Sequence, residues 1–354
     1  MLLVYLVFRN VSEKQATYPS KTAACRKIIA LPNEVMLILI GKGAVIMTIM
    51  KVDKLTKRYG SFTAVDGISF EVERGELLGF LGVNGAGKST TINMLSTLLK
   101  PDSGSAEICG CELGKANMEI SRKIGIVYQQ NCLDDILTVR ENLMCRGILH
   151  GASVKEAKRR LDELCEILTI KDILKKRYAR MSGGQKRRCE IAAALMHTPE
   201  LLFLDEPTTG LDPATRKEVW GVVETLRRNT GMTVFLTTHY MEEAAASNRI
   251  IILEKGHIVD SGTPFELKER YALDTVKLYC ESEKAPAITE KLAAHGMTAH
   301  REDYGISFTV KNTSDALEPV YSVKDMISGF EVIGGSMDDV FLNACGKPLE
   351  KEEV

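Results

Sequence analysis

No stretch of this chain is apolar for long enough to cross a bilayer. Leu2 to Phe8 is short, and Ile28 to Met50 is interrupted by Pro32, Asn33, Glu34, Lys42 and two glycines, whereas a spanning helix needs about 20 predominantly apolar residues. Work at a membrane would therefore need another polypeptide to supply the path. An excess of either charge is also lacking. Lys and Arg number 46 and Asp and Glu 47, a formal net charge of −1, which argues against holding nucleic acid through an overall positive field. The nine cysteines form no paired CxxC pattern, and several fall in periodic segments where a thiol packs as a small apolar group, which reads as a reduced, intracellular setting. Cys109 and Cys111 are expected on one side of a short strand. What is present is the ordinary mixture of a globular chain, 45% hydrophobic and 26% charged over 354 residues, enough for a large core and one further small domain.

Residues 1–46 show no steady periodicity and form a doubtful N-terminal extension. Gly41-Lys42-Gly43-Ala44 is compatible with a purine-rich ribosome-binding tract, so Met47 or Met50 is expected as the start. From Lys51 the pattern is clear. Val52 to Lys57 and Ile68 to Val72 alternate as half-exposed strands, and Leu77 to Leu81 reads as a buried strand running into a glycine-rich loop and a helix from about Lys88. Leu201 to Leu204 and Thr233 to Thr237 are two more buried strands. Lys155 to Leu168 and Pro213 to Arg227 are amphipathic helices, the first with Ala157, Leu161, Leu164, Cys165 and Leu168 on one face. Strands separated by helices predict a layered α/β core with parallel pairing. Residues 130–182 form an inserted helical subdomain, and a hairpin around Glu254-Lys255-Gly256 closes the core near residue 264. Residues 265–346 read as a small α+β domain with strands at Thr275 to Tyr279, Ile306 to Val310 and Phe330 to Ile333, and helices at Ile288 to Ala294 and Ala316 to Met326. A charged tail fills 347–354.

The most specific feature is Gly82-Val83-Asn84-Gly85-Ala86-Gly87-Lys88-Ser89-Thr90, which fits G-x-x-x-x-G-K-[ST] between a predicted strand and a predicted helix. Glycines let successive N–H groups turn toward phosphate oxygens, and the helix N-terminus adds its positive end. Lys88 is expected to reach the β- and γ-phosphates of ATP, Ser89 to coordinate Mg²⁺, and Thr90 to donate its backbone N–H. Asp205 and Glu206 follow the buried strand Leu201 to Leu204, at the end where open α/β sheets bind ligands. Asp205 is the candidate Mg²⁺ ligand and Glu206 the candidate group that orients or deprotonates the attacking water. Read alone, Asp205-Glu206-Pro207 is also compatible with a helix cap and turn. His239, just past the strand Thr233 to Thr237, is placed to touch the γ-phosphate or the water; a lone histidine there is otherwise a surface or capping residue.

Ser182-Gly183-Gly184-Gln185, at a helix start, forms a second anion cradle. Two cradles for one nucleotide predict a dimer that sandwiches ATP between one subunit's P-loop and the other's Ser-Gly-Gly surface. The basic triplet Lys186-Arg187-Arg188 that follows is compatible with a solvated face.

These pieces, in this order, resemble the ATP-binding subunits of ABC transporters from about Lys51 to Pro264, with Met181 to Gln185 in the place of the signature sequence. The resemblance implies the P-loop ATPase fold of that family, ATP hydrolysis, and an exporter whose membrane half is encoded separately. It also implies that Tyr59 stacks on adenine, that Gln129 senses Mg²⁺ and faces the membrane partner, and that Gly210-Leu211-Asp212 crosses the dimer interface. Taken alone, Tyr59 reads as a strand-edge aromatic and Gln129 as a polar turn residue. Leu137 to Leu143, Leu236 to Ala244 and Met337 to Leu342 look like the branch of daunorubicin-resistance-type ATPases that work with ABC-2-type permeases. The accessory domain is implied to support the dimer or regulate it. Val83, Tyr128 and Met181 depart from the commoner Pro, Pro and Leu, and none of these changes removes a phosphate-, metal- or water-handling group. The expected assembly is a homodimer or paralogous heterodimer with a permease at the cytoplasmic face of the plasma membrane, without nucleic acid. A soluble ATPase of assembly, repair or translation, and a nucleotide-gated regulator of a membrane partner, are the competing readings.

Overall fold

A computed structural model of the protein describes residues 47–346; the expectations for 1–46 and for the tail at 347–354 lie outside the described residues. The first two strands, β1 (Thr48–Tyr59) and β2 (Phe62–Glu73), form a long antiparallel hairpin. Both run beyond the alternating segments that signal them in the sequence. Bulges explain the shortfall: Lys54 has φ 47° and Gly67 φ 62°, the β1–β2 register shifts between Val52 and Leu55, and each extra residue breaks the period of two.

β3 (Leu77–Leu81) is buried at all five positions and leads into helix α1 (Lys88–Leu95). β4 (Ser103–Ile108) and β5 (Cys111–Glu112) flank a tight turn at Cys109-Gly110, so Cys109 lies in the turn and Cys111 opens β5, not on one strand, although both pack against the same apolar core. Helix α2 (Asn117–Lys123) and strand β6 (Ile124–Val127) follow. The short run Ile-Gly-Ile-Val hides its strand character behind Gly125. A Cβ there would lie 2.5 Å from the Ala194 carbonyl and 3.0 Å from Pro199, so the glycine answers to close backbone approach rather than to a turn.

The helical segment holds α3 (Val139–Leu149) and α4 (Val154–Leu168), each opened by a capping box, Thr138 with Glu141 and Ser153 with Glu156. Helix α5 (Gly183–Leu195) leads to β7 (Leu201–Asp205), α6 (Pro213–Thr230), β8 (Thr233–Thr238) and the short α7 (Met241–Ala245). Asp212 caps α6 with Pro213 at its first position, and Gly231 ends it in the left-handed conformation. The helix-cap reading of Asp205-Glu206-Pro207 is therefore wrong, because the cap sits seven residues further on, as the numbering shows. β9 (Arg249–Glu254) and β10 (His257–Gly262) make the closing hairpin.

The central sheet runs β10-β9-β3-β8-β7-β6, parallel except for β10, and the sheet β2-β1-β4-β5 packs against it. Phe70 of the outer sheet meets Phe80 and Phe235 of the central one with ring centroids 5.7 and 6.0 Å apart. On the other side, α3, α4, α5 and α6 share a second apolar core with Leu202, Leu204, Val234 and Leu236. Both faces of the parallel strands are thus covered, and their carboxyl ends open toward the glycine-rich loop.

After α8 (Pro264–Tyr271) come β11 (Asp274–Tyr279), α9 (Ala285–Ala294), β12 (Ala299–Glu302), β13 (Gly305–Val310), α10 (Leu317–Ser322), β14 (Gly329–Ile333) and α11 (Met337–Cys345). From β11 to β14 the order is βαββαβ, and the antiparallel sheet β12-β13-β11-β14 is that of the split βαβ arrangement. The helix expected over Ala316 to Met326 is only six residues long, entered from a 3-10 turn at Thr313–Ala316 and ended at Val323; the β-branched Val320 and Val323 and the aromatic Tyr321 give it little helical propensity. Helix α11 returns to the core, where Met337, Val340 and Phe341 join Met241, Ala244 and Leu267 in one apolar cluster.

Candidate active site

The loop between β3 and α1 is shaped by glycine where no side chain fits. A Cβ on Gly82 would lie 2.6 Å from the Leu253 carbonyl, and one on Gly87, at φ 106°, 2.5 Å from the Ala64 carbonyl. At Gly85, φ 82° turns the backbone with open space beside it, the form of a phosphate cradle. No side chain caps α1, so its first N–H groups have no side-chain acceptor. The loop borders a cavity of about 400 Å³ lined by Tyr59, Phe62, Asn84, Lys88, Gln129 and Glu206 among others. Lys88, 4% exposed, donates to the carbonyls of Gly82 (2.7 Å) and Val83 (3.2 Å) and stands 3.1 Å from Glu206 Oε1.

Adjacent parallel strands deliver the polar groups. β7 ends in Asp205, whose Oδ1 accepts from Thr237 Oγ1 of β8 at 2.6 Å and from Ser89 Oγ of α1 at 3.2 Å. Burial pushes the Asp205 carboxyl up from its usual range, against the pull of those two hydroxyls. A buried carboxylate beside a hydroxyl in this state is suited to a divalent cation, which would offset the desolvation. Glu206 is held differently. Its Oε2 lies 3.2 Å from Gln129 Nε2, from Thr209 Oγ1 and from His239 Nδ1. His239, with Lys88, holds its carboxyl down at about 2 despite burial. The His239 contact is close but poorly aligned, leaving the buried Nδ1 without a well-formed hydrogen-bond partner. Glu206 also has φ 45°, uncommon for a residue with a side chain, and its N–H donates to the Thr237 carbonyl and hydroxyl, both at 3.1 Å.

Lys88, Ser89, Gln129, Asp205, Glu206 and His239 are thus brought together, and Tyr59, half exposed, lines the same cavity. Ser182 to Gln185 are not among its lining residues. They form the exposed or half-exposed start of α5, where Ser182 and Gln185 make a capping box. Asp212 caps α6 through the Thr215 N–H (3.0 Å) and hydroxyl (2.6 Å).

The solvated-face reading of Lys186-Arg187-Arg188 fails at Arg187, which is 5% exposed and donates to backbone carbonyls around the site. The available signal was spacing: Arg187 and Glu190 stand one turn apart on the face of α5 that also buries Ile191 and Ala194.

A parallel α/β sheet whose first buried strand enters a glycine-rich phosphate loop defines a P-loop nucleoside triphosphatase. The sequence profile of the ABC transporter family matches residues 65–209. Over 305 residues the chain is 37% identical to the daunorubicin/doxorubicin resistance ATP-binding protein DrrA of Streptomyces peucetius, covering 84% of this chain and 92% of that protein. It is 38% identical to the linearmycin resistance ATP-binding protein LnrL of Bacillus subtilis, covering 85% and 99%. Among solved structures, an ATP-binding cassette dimer in a post-hydrolysis state bound to ADP and Pi superposes with a TM-score of 0.56 at 28% identity, covering 61% of this chain and 98% of that one. The chain belongs to the ATP-binding subunits of ABC transporters, and it is an ATP-hydrolysing enzyme close to the DrrA and LnrL group. Among the described residues no helix is long and apolar enough to cross a membrane.

Proposed function

We propose that this chain powers export by a separately encoded ABC-2-type permease, working as one half of an ATPase dimer on the cytoplasmic face of the plasma membrane. The observation that carries the catalytic part is the convergence of Lys88, Gln129 and His239 on the Glu206 carboxylate beside the loop Gly82 to Thr90. In this reading the loop N–H groups and Lys88 bind the β- and γ-phosphates of ATP while Tyr59 stacks on the adenine. Ser89 and Asp205, with Gln129 nearby, would hold Mg²⁺, which would neutralise charge developing on the phosphate oxygens. Phosphate oxygens compete with Glu206 for Lys88, and a Lys88 drawn to phosphate leaves the carboxylate to orient the attacking water. Glu206, ionised beside His239 and Lys88, accepts a hydrogen bond from the attacking water and orients it. His239, whose Nδ1 lies 3.2 Å from Glu206, is placed to hydrogen-bond the water or the γ-phosphate through its other ring nitrogen.

The exposed Ser182 to Gln185 surface, outside its own subunit's cavity, supports a dimer in which each supplies it to the other's nucleotide. Closure would exclude water and place dipoles against the transferring phosphoryl group; hydrolysis would remove the ligand joining the halves, biasing the permease through differential affinity for its states. The names of the relatives support efflux of antibiotic-like compounds as the cargo class. Glu206→Gln is expected to keep ATP binding and cut turnover by roughly a hundredfold or more; ordinary turnover in that variant would sink the assignment.

A further inference from the structure

Helix α5 carries, within two turns of Ser182, a buried arginine and a buried glutamate that the mechanism above does not use. A guanidinium out of water needs its donors satisfied, and the hydrogen bonds that Arg187 makes go to main-chain carbonyls: Nε to Pro207, Nη1 to Tyr128 at 2.5 Å, and Nη2 to Glu206 at 3.0 Å and Asp205 at 3.4 Å. One planar fork therefore joins the residue before Gln129 to three consecutive residues at the end of β7. One turn on, Glu190 Oε1 accepts from the N–H groups of Cys132 (2.8 Å) and Leu133 (3.1 Å) and from the Tyr178 hydroxyl (2.7 Å). The segment carrying Gln129 is thus anchored to α5 on both sides.

The Glu206 backbone gives this clamp a purpose. Its left-handed φ of 45° is a conformation that persists for a residue with a side chain only where the surroundings over-determine it. Thr237 holds the Glu206 N–H and Arg187 holds its carbonyl. If the carbonyl were released, the peptide could relax and swing the carboxylate away from His239 and Lys88.

We propose that Arg187 is a positioning residue for ATP hydrolysis: its guanidinium locks the Glu206 backbone and ties it to the Gln129 segment, with Glu190 fixing the other side of that segment. Engagement of Ser182 to Gln185 by the partner's nucleotide is thereby passed along α5 to the two side chains that face the attacking water. The inference rests on the roles given above to Glu206 and Gln129.

The test uses the full-length chain with MgATP, measuring kcat, KM, nucleotide affinity and Tm. Arg187→Met keeps the apolar stem and removes every donor, while Arg187→Lys restores a cation without the planar fork. Arg187→Met is expected to lower kcat about tenfold to a hundredfold, with KM and MgATP affinity changed by less than about threefold, since no phosphate contact is lost. Arg187→Lys is expected to recover part of kcat. In a Glu206→Gln background, adding Arg187→Met is expected to slow residual turnover no further, because its effect passes through Glu206. Wild-type kcat in Arg187→Met, or kcat and affinity falling together with Tm and without rescue by lysine, would overturn the proposal. Should Arg187→Met fail to fold, Arg187→Lys and Arg187→Gln are read for the same split between kcat and KM. If Glu206→Gln itself turns over normally, the underlying catalytic reading falls; if it is inactive while Arg187→Met runs at full rate, only the present inference does.

Discussion

Two neighbouring carboxylates, Asp205 and Glu206, are pushed in opposite directions by their surroundings. Glu206 lies near 2, well under the 4.5 of a free glutamate, through His239 and Lys88. A depressed folded-state value contributes stability that is fully present above about pH 4.5 and lost as pH falls through about 2. In the nucleotide-free protein Glu206 therefore stays ionised across the physiological range, and an acid limb in kcat/KM between pH 5 and 7 must come from another group. Asp205 is raised above its ordinary 3.8 by burial, so its ionisation works against folding until a cation offsets it. The stabilisation of the protein by Mg²⁺ with ADP, read as a Tm increment, is expected to grow as rising pH ionises Asp205, and Asp205→Asn should remove the part that belongs to the protein. An unchanged pH dependence in that variant would contradict the assignment. Lys88→Ala should lose nucleotide affinity, measured by direct binding, because the loop carbonyls and phosphate oxygens are left without their shared cation; full affinity would count against the loop as the phosphate site.

At the scale of elements, much of the architecture is legible because its central strands are short, apolar and bounded by turn chemistry. Leu77–Leu81, Leu201–Asp205 and Thr233–Thr238 are buried at every position, and the phosphate loop follows the first of them. The hidden parts have identifiable causes. Bulges at Lys54 and Gly67 interrupt the alternation of β1 and β2, and Gly125 masks β6. Arg187 looks like one of three solvated cations until the fold shows which carbonyls surround it; its spacing to Glu190, Ile191 and Ala194 on one face of α5 is the local hint. Capped helix starts make a quantitative test of the elements. Ser153→Ala, which breaks the capping box of α4, is expected to cost about 1 kcal/mol of stability with little change in kcat, since α4 touches no part of the cavity. Phe341→Ala on α11, 3% exposed in the cluster with Met241 and Leu267, is expected to cost about 3–5 kcal/mol. Denaturant midpoints distinguish the two sizes of effect, and equal losses would mean that α11 is not packed as described.

For the molecule as a whole, the phosphate loop and the Ser182 to Gln185 surface belong to one chain but not to one cavity. Family membership makes the chain an ATP-hydrolysing transporter subunit; in the proposed dimer, a division of labour between two copies would give those separate surfaces a common nucleotide. The measurement that bears most directly on this is complementation between two damaged proteins. Lys88→Ala spoils the phosphate loop and keeps the Ser-Gly-Gly surface, whereas Ser182→Arg, at an exposed helix start, does the reverse. Each alone is expected to hydrolyse MgATP at a small fraction of the wild-type rate, and a mixture should form heterodimers in which one complete site is rebuilt, so that turnover rises clearly above the sum of the parents. A mixture that stays at that sum, although the two proteins associate with ATP, would contradict a shared site.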